Sequence, residues 1–211
     1  GKDVSGGGRY THMTMWAKNP TGLHNLFTLS SLASYEGYYM KPRMDREIIS
    51  QYNEGVIAST GCPSGEVQTR LRLGQFDEAV EAAGAYQEIF GKDHYFCELM
   101  DHGVPIERQV RSDLLRLAKK IDAPLLLTND SHYVNEDDAD AHDSLLCVGV
   151  GRNKDDPNRF RFNGSGYYIK SSDEMRSLFP DMPEAADNTL ALTEMIEGLS
   201  LIHISEPTRP Y

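Results

Sequence analysis

A carboxylate and an imidazole stand two residues apart directly after an apolar run. The run is Leu125–Leu127, and the pair is Asp130 and His132 in the segment TNDSH. An aspartate oxygen and a neutral histidine nitrogen can both bind a divalent metal ion, and a spacing of two lets both side chains point into one pocket. Such a pair is also common in solvated turns, so the spacing alone leaves a metal site and a plain surface loop open.

Three further residues of metal-ligand type accompany other apolar segments. Cys62 follows the run VIAS, His102 follows HYFCELM, and His12 lies inside the alternating segment YTHMTMWA. Taken singly, a lone cysteine is usually inert, and a histidine on a strand face is usually a hydrogen-bonded core residue. A nucleophilic Cys–His pair is a rival use of Cys62, but no cysteine-protease signature surrounds it.

The elements that must position these residues follow from hydrophobic periodicity. Alternation predicts strands at residues 10–17 and 94–100, apolar runs predict strands at 56–59 and 125–127, and residues 167–169 predict a short terminal strand. Helical patterns occur between the strands and after the last of them, at residues 19–36, 45–52, 75–90, 104–121, 138–150, 171–179 and 183–198. This order predicts an α/β fold with parallel strands, whose carboxyl ends line one functional face.

The composition limits the classes of protein that this chain can represent. Its 211 residues are 39% hydrophobic, which is enough for a core, and its net charge is −11. The acidic balance argues against a nucleic-acid-coating module but leaves a local basic groove open. Three cysteines without a CxxC spacing argue against a disulfide scaffold and favour a reducing cytoplasm. No apolar run approaches the roughly 20 residues of a membrane span, so no membrane partner is expected.

Six segments together resemble one protein family in order and approximate spacing. The family is the polymerase-and-histidinol-phosphatase (PHP) domain at the amino end of bacterial DNA polymerase III alpha subunits. The resemblance covers roughly residues 10–197. It rests on THMTMWAKNPTGLHNLFTLSS, STGCPSGEVQTRL, YFCELMDHG, APLLLTNDSHYV, DADAHDSLLCVG and MPEAADNTLALTEM.

The resemblance implies a fold and a domain organisation. Residues 1–170 would form the later part of a PHP domain, which is an α/β, distorted (βα)7 barrel and is only partial here. Residues 171–199 would begin the helical linker toward the polymerase palm. Residues 200–211 resemble a translated sequencing adapter and are expected to be a non-native tail, while Gly6–Gly8 is expected to be a linker.

The resemblance also implies a metal site. Four residues match metal-ligand positions of the family: His12, Cys62, Asp130 and His132. Asp130 and His132 would also take part in catalysis. His102 matches no ligand position and is therefore expected to be an ordinary loop residue. The expected cofactor is a cluster of divalent ions, with zinc, manganese and magnesium all possible.

The implied activity is that of a replicative enzyme. The parent would be a DNA-directed DNA polymerase of the cytoplasm, with a PHP domain that acts as a metal-dependent 3′ to 5′ proofreading exonuclease on the primer 3′ end. Its partners would be DNA, the sliding clamp and other replisome subunits, and its polymerase site, outside this chain, would use magnesium. Two alternatives stay open: a scaffold that docks a separate proofreading subunit, and a stand-alone phosphoesterase for small phosphate esters.

The resemblance finally implies that the chain is an internal fragment. The opening His-x-His motif of the family and several other ligands would precede residue 1. The isolated chain is therefore expected to be inactive. With its first strands absent it is also expected to be aggregation-prone.

Overall fold

The computed structural model describes residues 10–199, so the expected Gly6–Gly8 linker and the tail 200–211 lie outside the described residues. The fold is mixed α/β. The strands are β1 (Thr14–Ala17), β2 (Val56–Ser59), β3 (Tyr95–Leu99) and β4 (Leu125–Leu127). The helices are α1 (Pro20–Tyr35), α2 (Arg46–Gln51), α3 (Glu66–Arg72), α4 (Phe76–Phe90), α5 (Pro105–Ile121), α6 (Ala139–Val150), α7 (Ser172–Leu178) and α8 (Pro183–Met195), with 3-10 turns at Lys92–His94 and Glu136–Asp138.

The four strands form one sheet in the order β1-β2-β3-β4. β2, β3 and β4 run parallel, as the sequence predicted. β1 runs antiparallel to β2, with Thr14 opposite Ser59, so the prediction of parallel strands throughout was wrong. Periodicity shows which residues of a strand are buried but carries no information on strand direction. The connection through α1 and α2 returns the chain alongside β1 in the opposite sense.

Two predicted strands differ from the structure. The segment 10–17 is strand only from Thr14, and His12 precedes the strand in an isolated bridge with Gly65. At residues 167–169 there is no strand, only an isolated bridge between Tyr168 and Tyr133. The reason is local packing: a Cβ added to Gly166 would lie 3.3 Å from the Cα of His102, so this segment packs on the loop after β3 instead of extending the sheet.

Helix α3 was missed because its sequence lacks the usual signals. The turn-rich TGCPSG precedes it, and its N-cap, Gly65, provides no side-chain hydrogen bond. Four of its seven residues are buried and two of these are polar, so no apolar stripe marks one face. The helix is held instead by tertiary contacts, which a local pattern does not show.

Helices cover both faces of the sheet. The larger core lies between the sheet and α3, α4 and α5, around residues such as Val67, Ala83 and Leu117. On the other face, Leu192 of α8 packs on Ile57, Phe96 and Leu126, one from each parallel strand. This packing leaves the carboxyl ends of the parallel strands at one open edge. No helix within residues 10–199 is long and apolar enough to cross a membrane.

Candidate functional site

A cavity of about 1280 Å³ opens at the carboxyl ends of the parallel strands. Its wall includes three of the four predicted ligands, namely His12, Cys62 and Asp130. They come from the segment before β1, the turn after β2 and the loop after β4. The fold therefore brings together residues that are 50 or more positions apart in the sequence.

His12 and Cys62 form the closest pair. The Nδ1 atom of His12 lies 3.6 Å from the Sγ atom of Cys62. Two ligands of one tetrahedral zinc ion, at ordinary Zn–S and Zn–N bond lengths, stand about 3.6 Å apart. The turn GCPSG creates this proximity, since Gly61 has φ +76 and a Cβ there would lie 3.2 Å from the His12 carbonyl oxygen. The donor set and the spacing of this pair suit a zinc-type ion.

The environment of Cys62 favours the protonated thiol when no cation is present. Burial raises the pKa of Cys62, and the nearby carboxylates of Asp130 and Glu98 raise it further, against hydrogen bonds with Ser64 that lower it. A thiolate at Cys62 would be repelled by the carboxylates of Asp130 and Glu98. A bound divalent cation would reverse that balance, because a metal-coordinated thiol is deprotonated.

Asp130 is exposed at the cavity and adopts a left-handed backbone conformation with φ 45. The preceding residue is firmly anchored: the Asn129 side-chain amide donates to the Tyr168 carbonyl at 2.6 Å, and its oxygen accepts from Lys170 at 2.9 Å. Such conformations are sparsely populated and persist where the surroundings hold them. In the loop TNDSH, the hydrogen bonds of Asn129 thus hold the backbone that carries the Asp130 carboxylate.

His132, the fourth predicted ligand, does not line the cavity. Its Nδ1 lies 2.6 Å from the Asp130 carbonyl oxygen, and its ring packs beside Phe162 and His142, with centroids 4.6 and 5.5 Å away. Within residues 10–199, no three His, Cys, Asp or Glu side chains are gathered closely enough to hold a metal ion. The four-ligand assignment therefore stays a prediction, with His12 and Cys62 in contact, Asp130 in the same cavity and His132 apart.

His102 has a role that the sequence analysis missed. It is 8% exposed, and its ring lies between two acceptors: Nδ1 is 2.5 Å from Glu107 Oε1, and Nε2 is 2.5 Å from the Asn129 carbonyl oxygen. Burial lowers the pKa of His102, but the bonds with Glu107 and Asn129 outweigh it, so the net pKa is raised. Two acceptors require two ring protons, so we assign an imidazolium. The spacing HGVPIE offered no sign of this contact.

Glu98 is the second residue that was missed. It lies on β3, is 5% exposed and forms part of the cavity wall. Its carboxylate accepts hydrogen bonds from Ser59 of β2, from Thr128 after β4 at 2.6 Å and from Thr14 of β1 at 3.4 Å. A signal was present: Glu98 is the one charged residue in the apolar strand YFCEL, and buried charges need partners.

Comparisons with known proteins found one matching domain family and a group of similar proteins. A model of the PHP domain matches residues 3–102. The chain is similar to DNA polymerase III subunit alpha of Saccharopolyspora erythraea, with 61% identity over 94% of the chain and 17% of that protein. The same subunit of Mycobacterium tuberculosis is 57% identical over 93% of the chain and 17% of the relative, and that of Thermus aquaticus is 38% identical over 93% and 16%. The chain thus spans about a sixth of the length of these curated relatives.

Proposed function

Because the chain carries a PHP-domain match and is homologous over nearly all of its length to DNA polymerase III alpha subunits, we propose that it works as the PHP-bearing segment of such a polymerase. The whole protein would then be a DNA-directed DNA polymerase in DNA replication, with a magnesium-dependent polymerase site outside this chain. The comparisons do not favour the two alternatives, a docking scaffold or a stand-alone phosphoesterase.

For the cavity we propose metal-dependent phosphodiester cleavage at a DNA 3′ end. The contact between His12 and Cys62 at 3.6 Å is the observation that supports this proposal. His12, Cys62 and Asp130 would hold a divalent ion, and His132, which lies apart from the cavity, is the fourth ligand that the family resemblance implies. A thiolate and an imidazole favour zinc, whereas carboxylates also admit manganese or magnesium. When bound, such an ion supplies an activated water and neutralises charge on the phosphodiester.

The remaining residues would keep this site in shape. The clamp, which we define as His102, Glu107 and Asn129, holds the base of the loop that carries Asp130. An Nδ1–H of His132 donating to the Asp130 carbonyl would leave the Nε2 lone pair to bind an ion or accept a proton. Asp130 and His132 are accordingly the proposed catalytic residues.

The finer organisation of the protein is part of the same proposal and is taken from the family resemblance. The described sheet would belong to a distorted (βα)7 barrel, with a PHP part at residues 1–170, a helical segment toward the palm at 171–199 and a non-native tail at 200–211. The isolated chain would be inactive. The working protein would be cytoplasmic and would bind the primer 3′ end, the sliding clamp and other replisome subunits.

The test uses the full-length polymerase subunit that contains this segment. We expect bound divalent metal by mass spectrometry, and removal of a mismatched 3′ nucleotide that a chelator abolishes and added metal restores. Cys62→Ser should lower both metal content and cleavage, whereas Cys147→Ser, at a buried cysteine of α6, should change neither. A folded protein without metal or cleavage, or a Cys62→Ser variant with unchanged metal content, would contradict the proposal and support a scaffold.

A further inference from the structure

A second feature lies on the wall of the same cavity. We define the aromatic-basic loop as residues 38–43, with the sequence YYMKPR, between α1 and α2. Tyr38 and Tyr39 are 63% and 48% exposed, and Lys41 is also exposed. Lys41, Pro42 and Arg43 line the cavity that contains His12, Cys62 and Asp130. Two exposed rings and two cations within six residues contrast with the net charge of −11 of the chain.

The loop has a defined shape. At its base, Gly37 touches the Arg43 backbone so closely that a Cβ on Gly37 would lie 1.8 Å from the Arg43 carbonyl oxygen. At its tip, Met40 has φ 64, and the Tyr39 N–H donates to the Lys41 carbonyl at 3.0 Å. These contacts fix a tight turn in which Lys41, Pro42 and Arg43 line the cavity, while Tyr38 and Tyr39 are exposed outside its wall.

Two of the nearby carboxylates have partners of their own, while the carboxylate of Glu36 also lines the cavity. Glu66 pairs with Arg46 at 2.8 Å, and Asp45 accepts the Ile48 N–H at the start of α2. Lys41 makes no ion pair within residues 10–199, and its ammonium lies 5.2 Å from the centre of the Tyr10 ring. Lys41 thus places a cation on the cavity wall beside the Tyr10 ring, and the Arg43 guanidinium lies over the Tyr39 ring, 4.8 Å from its centre.

This combination fits single-stranded nucleic acid. Unpaired bases stack on aromatic rings in a sequence-tolerant way, and their phosphates bind lysine or arginine. In a duplex the base faces are stacked on one another, so only the phosphates would be available. We propose that the aromatic-basic loop binds the single-stranded 3′ segment of a DNA strand and leads it into the cavity. This proposal rests on the proposed function and adds the surface that holds the substrate.

The first experiment locates the strand and leaves cleavage aside. A single-stranded oligonucleotide with 5-iododeoxyuridine near its 3′ end is irradiated with the full-length protein in the presence of a chelator, and cross-linked peptides are identified by mass spectrometry. We expect a cross-link to Tyr38 or Tyr39 that an unlabelled single strand competes away and a blunt duplex does not. Cross-links elsewhere with none in residues 38–43 would overturn the proposal.

The second experiment measures what the loop contributes to cleavage. Tyr38→Ala should raise KM for a single-stranded substrate about tenfold with kcat little changed, because one stacked base is lost. Lys41→Gln should reduce the slope of log(kcat/KM) against log salt by about 0.7, as expected for one phosphate contact to a single strand. Phe27→Ala and Lys119→Gln, exposed residues away from the cavity, are the matched controls and should change neither quantity.

The outcomes separate this proposal from the proposed function. A cross-link to the loop in a protein that never cleaves DNA would keep the binding surface and contradict the phosphoesterase. Cleavage with an unaltered KM in Tyr38→Ala and an unaltered salt slope in Lys41→Gln would keep the phosphoesterase and refute the binding surface. Loss of a protein partner in these variants, with DNA cross-linking absent from the wild type, would instead make the loop a protein-docking site.

Discussion

Two histidine sites lie at the same edge of the sheet and are built in opposite ways. In the clamp, His102 is buried, both ring nitrogens meet acceptors, and the ring stacks on Tyr167 with centroids 4.1 Å apart. In the open site, which we define as His12, Cys62 and Asp130, His12 is exposed and meets the Cys62 sulfur. One site has its polar groups satisfied by protein, and the other presents them to a cavity.

This difference in how the polar groups are satisfied determines whether each site can bind a ligand. Buried polar groups with all partners in place specify one conformation and leave nothing for a ligand. In the open site, the ligand-type side chains of His12, Cys62 and Asp130 line a cavity, and Asp130 has a left-handed backbone conformation. Their polar atoms are therefore available to a ligand. The two sites meet in consecutive residues: Asn129 belongs to the clamp, and Asp130 belongs to the open site. We therefore expect the clamp to stabilise the loop that carries Asp130.

The largest expected effect is on the clamp. Glu107→Ala removes the carboxylate that pairs with His102 and leaves a buried imidazolium without its counter-charge. Breaking a buried ion pair in this way costs about 3–5 kcal/mol. We expect the free energy of local opening of the loop after β4 to fall by that amount, measured by hydrogen exchange of the amides at residues 128–133 in the full-length protein.

A matched variant checks the origin of this effect. Glu47→Ala removes an exposed carboxylate in the first turn of α2 and should leave the same amides unchanged within about 0.5 kcal/mol. If Glu107→Ala also left them unchanged, the clamp would not be what holds the loop, and the contrast between the two sites would lose its energetic basis.

The next largest effect concerns the open site, where a substitution should change cleavage and leave the stability of the loop unchanged. Asp130→Asn keeps the shape of the side chain and its tolerance of a left-handed backbone but removes the charge. We expect 3′ cleavage to fall at least about 100-fold, or about 2.7 kcal/mol, with exchange of the loop amides nearly unchanged. Asp137→Asn, at an exposed aspartate of the same region, is the control. Equal losses of cleavage in both variants would show that Asp130 has no special role.

The same contrast explains what could be foreseen from the sequence. His12, Cys62, Asp130 and His132 were predicted as ligands because these ligand-type residues lie in or after predicted strands and match family motifs. Most of the helices and β3 were foreseen because each has a local period, and β2 and β4 were foreseen because each is a short apolar run. The alternation predicted β1 but carried no information on the direction of the strand. The antiparallel pairing of β1 with β2 could therefore be seen only in the structure.

The clamp could not be foreseen because its signal is not local. His102 and Glu107 are five residues apart across a helix start, and the third member, Asn129, comes 27 residues after His102. Their chemistry depends on burial, which a polar loop sequence does not indicate. Glu98 differs, since a single acid inside an apolar strand was visible and implied a buried partner network. Sequence reasoning thus predicted three residues that line the cavity but not the buried residues whose polar groups are satisfied by protein.

A smaller effect tests whether Asp130 trades stability for function. Its φ of 45 is unfavourable for a residue with a Cβ, whereas glycine adopts it freely. Asp130→Gly should therefore stabilise the loop after β4 by about 0.5–1 kcal/mol in hydrogen exchange while cleavage is lost. Ser131→Gly, at the next exposed position, should not stabilise the loop. A destabilised Asp130→Gly variant would mean that the side chain itself supports the loop.

The smallest expected effect is a pH dependence of the clamp. Because the pKa of His102 is raised in the folded protein, its stabilising contribution is complete below the unfolded pKa of about 6.5 and is lost as pH rises through the higher folded value. The charged neighbour Glu107 favours the imidazolium and Lys170 opposes it. Protection of the loop amides, corrected for intrinsic exchange, should thus decrease above about pH 6.5 in the wild type. His102→Gln should lose this dependence, whereas His24→Gln, in α1, should keep it. An unchanged pH profile in His102→Gln would show that the ring is neutral and that the clamp is held by hydrogen bonds without an ionic pair.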